Sequence, residues 1–141
     1  MSPAAPALLP AMDDAALRFK EFADFADRLV GGAAAARIDG GGGNDNISTF
    51  GGADVLNGGA GNDTLTGGGG NDTFEFGTGA GQDRIADFVE GTGVVDVIRL
   101  VGLGTGFDSF AEVTAAATQS GADVIINFGS GNTLTIANTT V

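Results

Sequence analysis

The sequence predicts an all-β protein made of stacked coils, and three observations predict it. A nine-residue unit recurs five times over 31–75, as GGAAAARID, GGGGNDNIS, TFGGADVLN, GGAGNDTLT and GGGGNDTFE. Three columns keep their phase through it: Asp at 45, 54, 63 and 72, a large apolar residue at 38, 47, 56, 65 and 74, and glycine at 43, 52, 61 and 70. Glycine supplies 26 of the 141 residues, far above the usual ~7 per cent, so backbone conformation outweighs side-chain bulk. A flexible Gly-rich linker would not hold Ile, Leu and Phe at one phase with an Asp two residues before them.

Taken in order, residues 1–11 are rich in Ala and Pro and are expected to form a disordered leader. Over 12–30, Phe19, Phe22, Ala26 and Leu29 fall at spacings of three and four, which predicts an amphipathic helix. Asp13 and Asp14 suit its first turn, Arg28 its last, and Gly31 and Gly32 its stop. This helix would cap the domain that follows.

Residues 31–88 form the repeat domain. Six residues of each nonamer make a turn, and three make a short strand with one inward side chain. Two nonamers make an 18-residue coil with a strand on each side. Stacked coils therefore give two parallel sheets, with Ile38, Leu56 and Phe74 facing Ile47, Leu65 and Ile85. Such a core is thin, which implies a further stabiliser. Beyond it, V-D-V-I-R-L at 95–100, D-V-I-I-N-F at 123–128 and T-L-T-I at 133–136 predict strands, and G-S-G-N at 129–132 a hairpin turn. Residues 108–118 predict a short amphipathic helix. The whole of 89–141 is expected to be a β-rich cap over the open end of the coils.

Charge and absent residues narrow the function. Eighteen acidic residues against six basic ones give a net charge of -12, which excludes the footprint of a nucleic-acid binder and repels anionic membrane surfaces. Fourteen of the acids are Asp, which beside Gly suggests turns and oxygen ligands for a hard cation. There is no Cys and no His, hence no disulfide, no thiolate and no imidazole base or ligand. An enzyme would be left with carboxylates, hydroxyls and backbone, and the 30 residues ahead of the repeats cannot bury a catalytic domain. A non-catalytic role is expected. No run approaches the ~18 apolar residues of a spanning helix. The opening MSPAAPALLPAMDD lacks a basic n-region, so no secretory signal peptide is expected there.

These nonamers closely resemble the G-G-x-G-x-D-x-U-x unit of the RTX (repeats-in-toxin, hemolysin-type) calcium-binding family. Residues 40–48, 58–66 and 67–75 match it at every defined position. TFGGADVLN lacks the first two glycines, and GGAAAARID has Ala36 where the ligand Asp belongs. Residues 76–100 resemble the segment that closes many RTX rolls, with Asp83, Ile85, Asp87 and Phe88 as its core. Residues 107–136 resemble the family's C-terminal region, which accompanies type I export.

The resemblance implies a right-handed parallel β-roll with about three Ca2+ ions between turns on the same side. Asp45 would pair with Asp63, Asp54 with Asp72, and Asp63 also with Asp83, displaced by a two-residue insertion; Asp87 is implied as a ligand too. Backbone carbonyls near Gly41, Gly43, Gly52, Gly59, Gly61, Gly68 and Gly70 would complete the shells. Ca2+ accepts six to eight oxygens at ~2.3–2.6 Å, which suits carboxylates and curled carbonyls better than Mg2+ does. The function implied is a secreted, extracellular calcium-binding module that leaves through type I secretion machinery and folds on calcium. The alternative is a calcium-dependent adhesion or polysaccharide-binding module, such as the C-terminal part of a secreted enzyme.

Overall fold

In the computed structural model, which describes residues 20–21, 28–89, 93–103 and 110–139, every nonamer of the repeat folds as six residues of turn and three of strand. The strands are β1 (Lys20–Glu21), β2 (Arg28–Val30), β3 (Arg37–Asp39), β4 (Asn46–Ser48), β5 (Val55–Asn57), β6 (Thr64–Thr66), β7 (Thr73–Gly77), β8 (Gln82–Ile85) and β9 (Val97–Val101). They are followed by α1 (Phe110–Ala115), β10 (Ala117–Ser120), β11 (Asp123–Gly129) and β12 (Asn132–Ile136). From β1 to β9 consecutive strands go to opposite sheets, because each turn carries the chain across the roll. One sheet has five strands in the order β1-β3-β5-β7-β9, and the other seven in the order β10-β11-β12-β8-β6-β4-β2.

The 18-residue coil sets the register. Ile38 pairs with Leu56 and Leu56 with Phe74 on one sheet, while Leu29 pairs with Ile47 and Ile47 with Leu65 on the other. All six are buried, and they form a single file of apolar side chains between the sheets. Alternation does the rest: in a three-residue strand only the middle side chain can point inward.

The helix expected over 12–30 is corrected at the positions the structure describes. Lys20–Glu21 is a strand paired in parallel with β3, and Arg28–Val30 is a strand paired in parallel with β4. The reason lies in the repeat itself. Leu29 stands nine residues before Ile38 and continues the inward apolar column upstream, where it is buried. Its spacing from Phe22 and Ala26 imitates a helix, but burial against Ile47 together with a parallel backbone ladder wins. The roll therefore begins before residue 31. The leader at 1–11 lies outside the described residues.

Downstream, the two-residue insertion lengthens β7, so that Phe76 pairs with Leu100 of β9 and turns its ring inward onto Phe128, centroids 4.9 Å apart. The expected hairpin is present: β11 and β12 are antiparallel around 129–132, with Ser130 at φ 53. The hairpin does more than cover the roll. β12 pairs in parallel with β8, Leu134 opposite Asp83 and Ile136 opposite Ile85, and so extends the seven-stranded sheet. Asp123 anchors it by accepting the Asn138 amide at 3.0 Å and the Arg84 guanidinium at 2.9 Å. These two donors, the amide first, hold its carboxyl below the usual range. The helix expected at 108–118 is α1, shortened because Ala117–Ser120 pairs with β11 instead.

Candidate metal centre

The turns stack along the two edges of the roll, and a ladder of aspartates runs down each. The backbone amide of one Asp donates to the carboxylate of the Asp one coil later: Asp45 to Asp63 at 2.8 Å, Asp63 to Asp83 at 3.0 Å, and Asp54 to Asp72 at 3.0 Å. Each bond uses Oδ1. The pairings expected from the sequence are therefore the pairs the fold brings together, with Asp83 displaced to 20 residues after Asp63. Where Asp is missing the ladder persists, and the Ala36 amide donates to Asp54 Oδ1 at 2.8 Å.

The other carboxylate oxygen decides the chemistry. Asp63 Oδ2 and Asp72 Oδ2 are buried and make no hydrogen bond. A buried carboxylate oxygen without a partner is costly, because water no longer solvates it and nothing replaces the water. Burial accordingly pushes the carboxyls up, Asp63 to about 7, Asp72 to about 6 and Asp83 to about 8, partly offset by the backbone amide that each accepts. Repulsion from neighbouring aspartates pushes in the same direction, while the contact between the Asp63 and Asp83 carboxyls lowers Asp63 and raises Asp83.

The glycines bring backbone oxygens to the same place. Gly61 has φ 122 and Gly70 φ 118, and a Cβ on either would run into the carbonyl oxygen of Gly43 or Gly52 in the preceding coil. Only glycine combines this left-handed backbone with so close an approach. Gly58 and Gly67 lack positive φ, yet a Cβ there would overlap Asp63 Oδ2 or Asp72 Oδ2. At Gly40 it would overlap Asp45 Oδ2 and come within 2.6 Å of the Gly58 carbonyl oxygen. Each such glycine lets the carboxylate of its own turn pack directly against the backbone. No group of three or more carboxylates gathers among the described residues, so a cation here would draw largely on backbone carbonyls. An all-oxygen set of buried carboxylate and carbonyl fits a hard cation of calcium's size.

Two further carboxylates bear on the site. Asp87 uses both oxygens on the backbone, accepting the Gly67 amide at 2.9 Å and the Gly68 amide at 2.7 Å, so it holds a turn in place. Asp96 was missed. It is buried, accepts the Asp72 amide at 3.0 Å and the Val89 amide at 2.8 Å, and continues one ladder past the repeats. Its signal was in the sequence: Asp96 stands two residues before Ile98, the same Asp-x-apolar spacing that the repeats show. An outer rung of amides accompanies the ladder, with the Asn44 side chain accepting the Asn62 amide and Asn62 accepting the Gln82 amide.

Comparison with known families agrees with this geometry. Residues 23–49 and 48–85 match the RTX calcium-binding nonapeptide repeat (4 copies). The match begins upstream of residue 31, as β2 does. No curated protein matches the chain. No helix among the described residues is long and apolar enough to cross a membrane.

Proposed function

Because residues 23–85 match the RTX calcium-binding repeat, we propose that this chain is a calcium-dependent folding module, without catalysis, that leaves the cell through type I machinery and closes outside it. The observation that carries the reading is the pair of buried oxygens, Asp63 Oδ2 and Asp72 Oδ2, left without a hydrogen bond in a chain of net charge -12. Asp45, Asp54, Asp63, Asp72 and Asp83, with the carbonyls of Gly43, Gly52, Gly58 and Gly61 that face the neighbouring coil, would hold the ions. Bound calcium supplies positive charge where the fold has concentrated negative charge. Three ions would change the formal charge from -12 to -12 + 6 = -6.

The chain's own residues supply the coupling. In the unfolded chain the aspartates are solvated and far apart. In the roll they stack one coil apart, so closing the turns without a cation desolvates and crowds them. Binding free energy is therefore folding free energy. Sites of ~10^-4 to 10^-3 M affinity, typical of extracellular modules, stay empty in a cytosol at submicromolar calcium and fill outside. The absence of His and Cys and the engagement of the repeat carboxylates in the ladder support a non-catalytic role.

Calcium titration of the chelator-treated chain, followed by far-UV circular dichroism, tests this. The expected result is a cooperative gain of β signal in the range ~10^-4 to 10^-3 M. A chain already β-rich and protease-resistant in excess chelator overturns the proposal.

A further inference from the structure

Asp87 and Asp96 lie one coil beyond the turn at 67–72, and their carboxylates are engaged differently from those of the repeats. Each of their four oxygens accepts a backbone amide. Asp87 takes the Gly67 amide at 2.9 Å on one oxygen and the Gly68 amide at 2.7 Å on the other. Asp96 takes the Asp72 amide at 3.0 Å on Oδ1 and the Val89 amide at 2.8 Å on Oδ2. At Asp63 and Asp72 the backbone amide goes to Oδ1, and Oδ2 is buried without a hydrogen bond. The approach of the backbone changes at the same place. Gly61, Gly70 and Gly81 are left-handed, and a Cβ on any of them would run into the carbonyl oxygen of Gly43, Gly52 or Gly61 in the preceding coil. Gly93, the left-handed glycine described between Asp87 and Asp96, has φ 100, and a Cβ there would meet nothing within 4 Å. It stands clear of the coil before it.

Resting on the calcium reading above, we infer that Asp87 and Asp96 form a metal-free clasp, and that the row of cations on this edge ends at Asp72. An amide hydrogen on a carboxylate oxygen puts positive charge where a cation would approach, and it supplies the partner that an oxygen drawn in from water needs. Ca2+ takes roughly six to eight oxygens, and this step withholds both the unbonded carboxylate oxygen and the closely pressed carbonyl. Four amides do for the last coil what calcium does for the earlier ones. Other bonds tighten the same step. The Val95 amide donates to the Asn71 side chain at 2.9 Å, the Val97 amide to the Asp72 carbonyl at 2.8 Å, and the Asp96 amide to the Val89 carbonyl at 2.9 Å. Asp87, which the RTX resemblance implies as a ligand, is then a structural carboxylate. So is Asp96, although it continues the ladder.

Calcium stoichiometry of the full chain, measured by equilibrium dialysis at saturating calcium, tests the clasp. Asp87→Asn and Asp96→Asn are each expected to bind as many ions as the wild type, and Asp72→Asn at least one fewer. The first two should still melt at a lower temperature, because each sets a side-chain NH2 against a backbone N–H. Loss of an ion in folded Asp87→Asn or Asp96→Asn overturns the clasp alone and leaves the calcium reading standing. An Asp72→Asn chain that keeps every ion overturns the end point at Asp72. If the Asp87 and Asp96 variants do not fold, NMR of the calcium-saturated wild type decides. Scalar couplings across the hydrogen bonds from the Gly68 and Val89 amides to the Asp87 and Asp96 carboxylate carbons support the clasp, and their absence overturns it. A wild type that binds no calcium overturns both the inference and the reading it rests on.

Discussion

Asp63 is the residue on which most of the site converges. It accepts the Asp45 amide, donates its own amide to Asp83, and keeps a second oxygen buried without a hydrogen bond. Asp123, by contrast, lies near the surface and anchors the C-terminal hairpin through Arg84 and Asn138. Asp63→Ala is therefore expected to weaken calcium binding by roughly tenfold or more, since affinity follows ligand charge, and Asp123→Ala to leave it nearly unchanged. Superimposable calcium isotherms for the two variants would contradict the assignment. Proton linkage gives a second expectation at this scale. Burial raises Asp63, Asp72 and Asp83 from 3.8 to about 7, 6 and 8, so the folded roll binds protons more tightly than the unfolded chain. The stability this confers is fully present below pH ~4 and is lost as the pH rises through ~6 to 8. In excess chelator, any residual β signal in circular dichroism should be larger near pH 4 than at pH 8. A residual β signal that grows over this interval would contradict the raised carboxyls.

A single strand here contributes one inward side chain and two outward ones, so the elements are unequal in what a substitution costs. Ile47 is fully buried between Leu29 and Leu65 in its sheet. Ile47→Ala is expected to destabilise the calcium-loaded roll by about 2–5 kcal/mol, the usual cost of cutting a large core side chain to Ala. Val97, on the outer face of β9 and 53 % exposed, should tolerate Ala within about 0.5 kcal/mol. Denaturant melts at fixed calcium measure both, and similar losses at the two sites would contradict the inward–outward alternation. The C-terminal hairpin shows how an element acts at a distance. By pairing β12 with β8 it covers the ladder groups of what would otherwise be an open parallel edge next to the Asp83 turn.

For the whole molecule, the proposed function links export and folding through charge. A chain that must pass a narrow conduit unfolded benefits from acidic repeats that stay open until calcium is met, and closure outside opposes return by mass action. In cells carrying a matching type I exporter, removal of 107–141 is expected to abolish release into the medium, whereas removal of 1–19, ahead of the first strand, should leave it largely intact. Release that depends on 1–19 and not on 107–141 would move the export signal to the N-terminus and leave the calcium reading untouched.

The sequence alone determined the roll, because a period of nine leaves little freedom. Glycines at fixed positions permit the turn, one apolar residue per strand fixes the inward face, and 18 residues per coil dictate which aspartates meet. It therefore pointed to the pairings of Asp45 with Asp63 and of Asp54 with Asp72, whereas that of Asp63 with Asp83, 20 residues on, followed from the family resemblance. Tertiary structure decided what lay where local and long-range signals compete. Leu29 fits a helical face as well as the apolar column of the repeat, and only its place against Ile47 makes it a strand residue. Asp96 is separated from Asp72 by an irregular 24 residues, so its rung on the ladder appears once the chain has closed around it. The pairing of β12 with β8 joins residues about 50 apart with no shared motif. Thr49 reads in the sequence as a lapse in the repeat, and its burial and its bond to Gly67 exist only when the next coil lies against it. A periodic pattern specifies neighbours one repeat away; contacts that break the period are specified by packing.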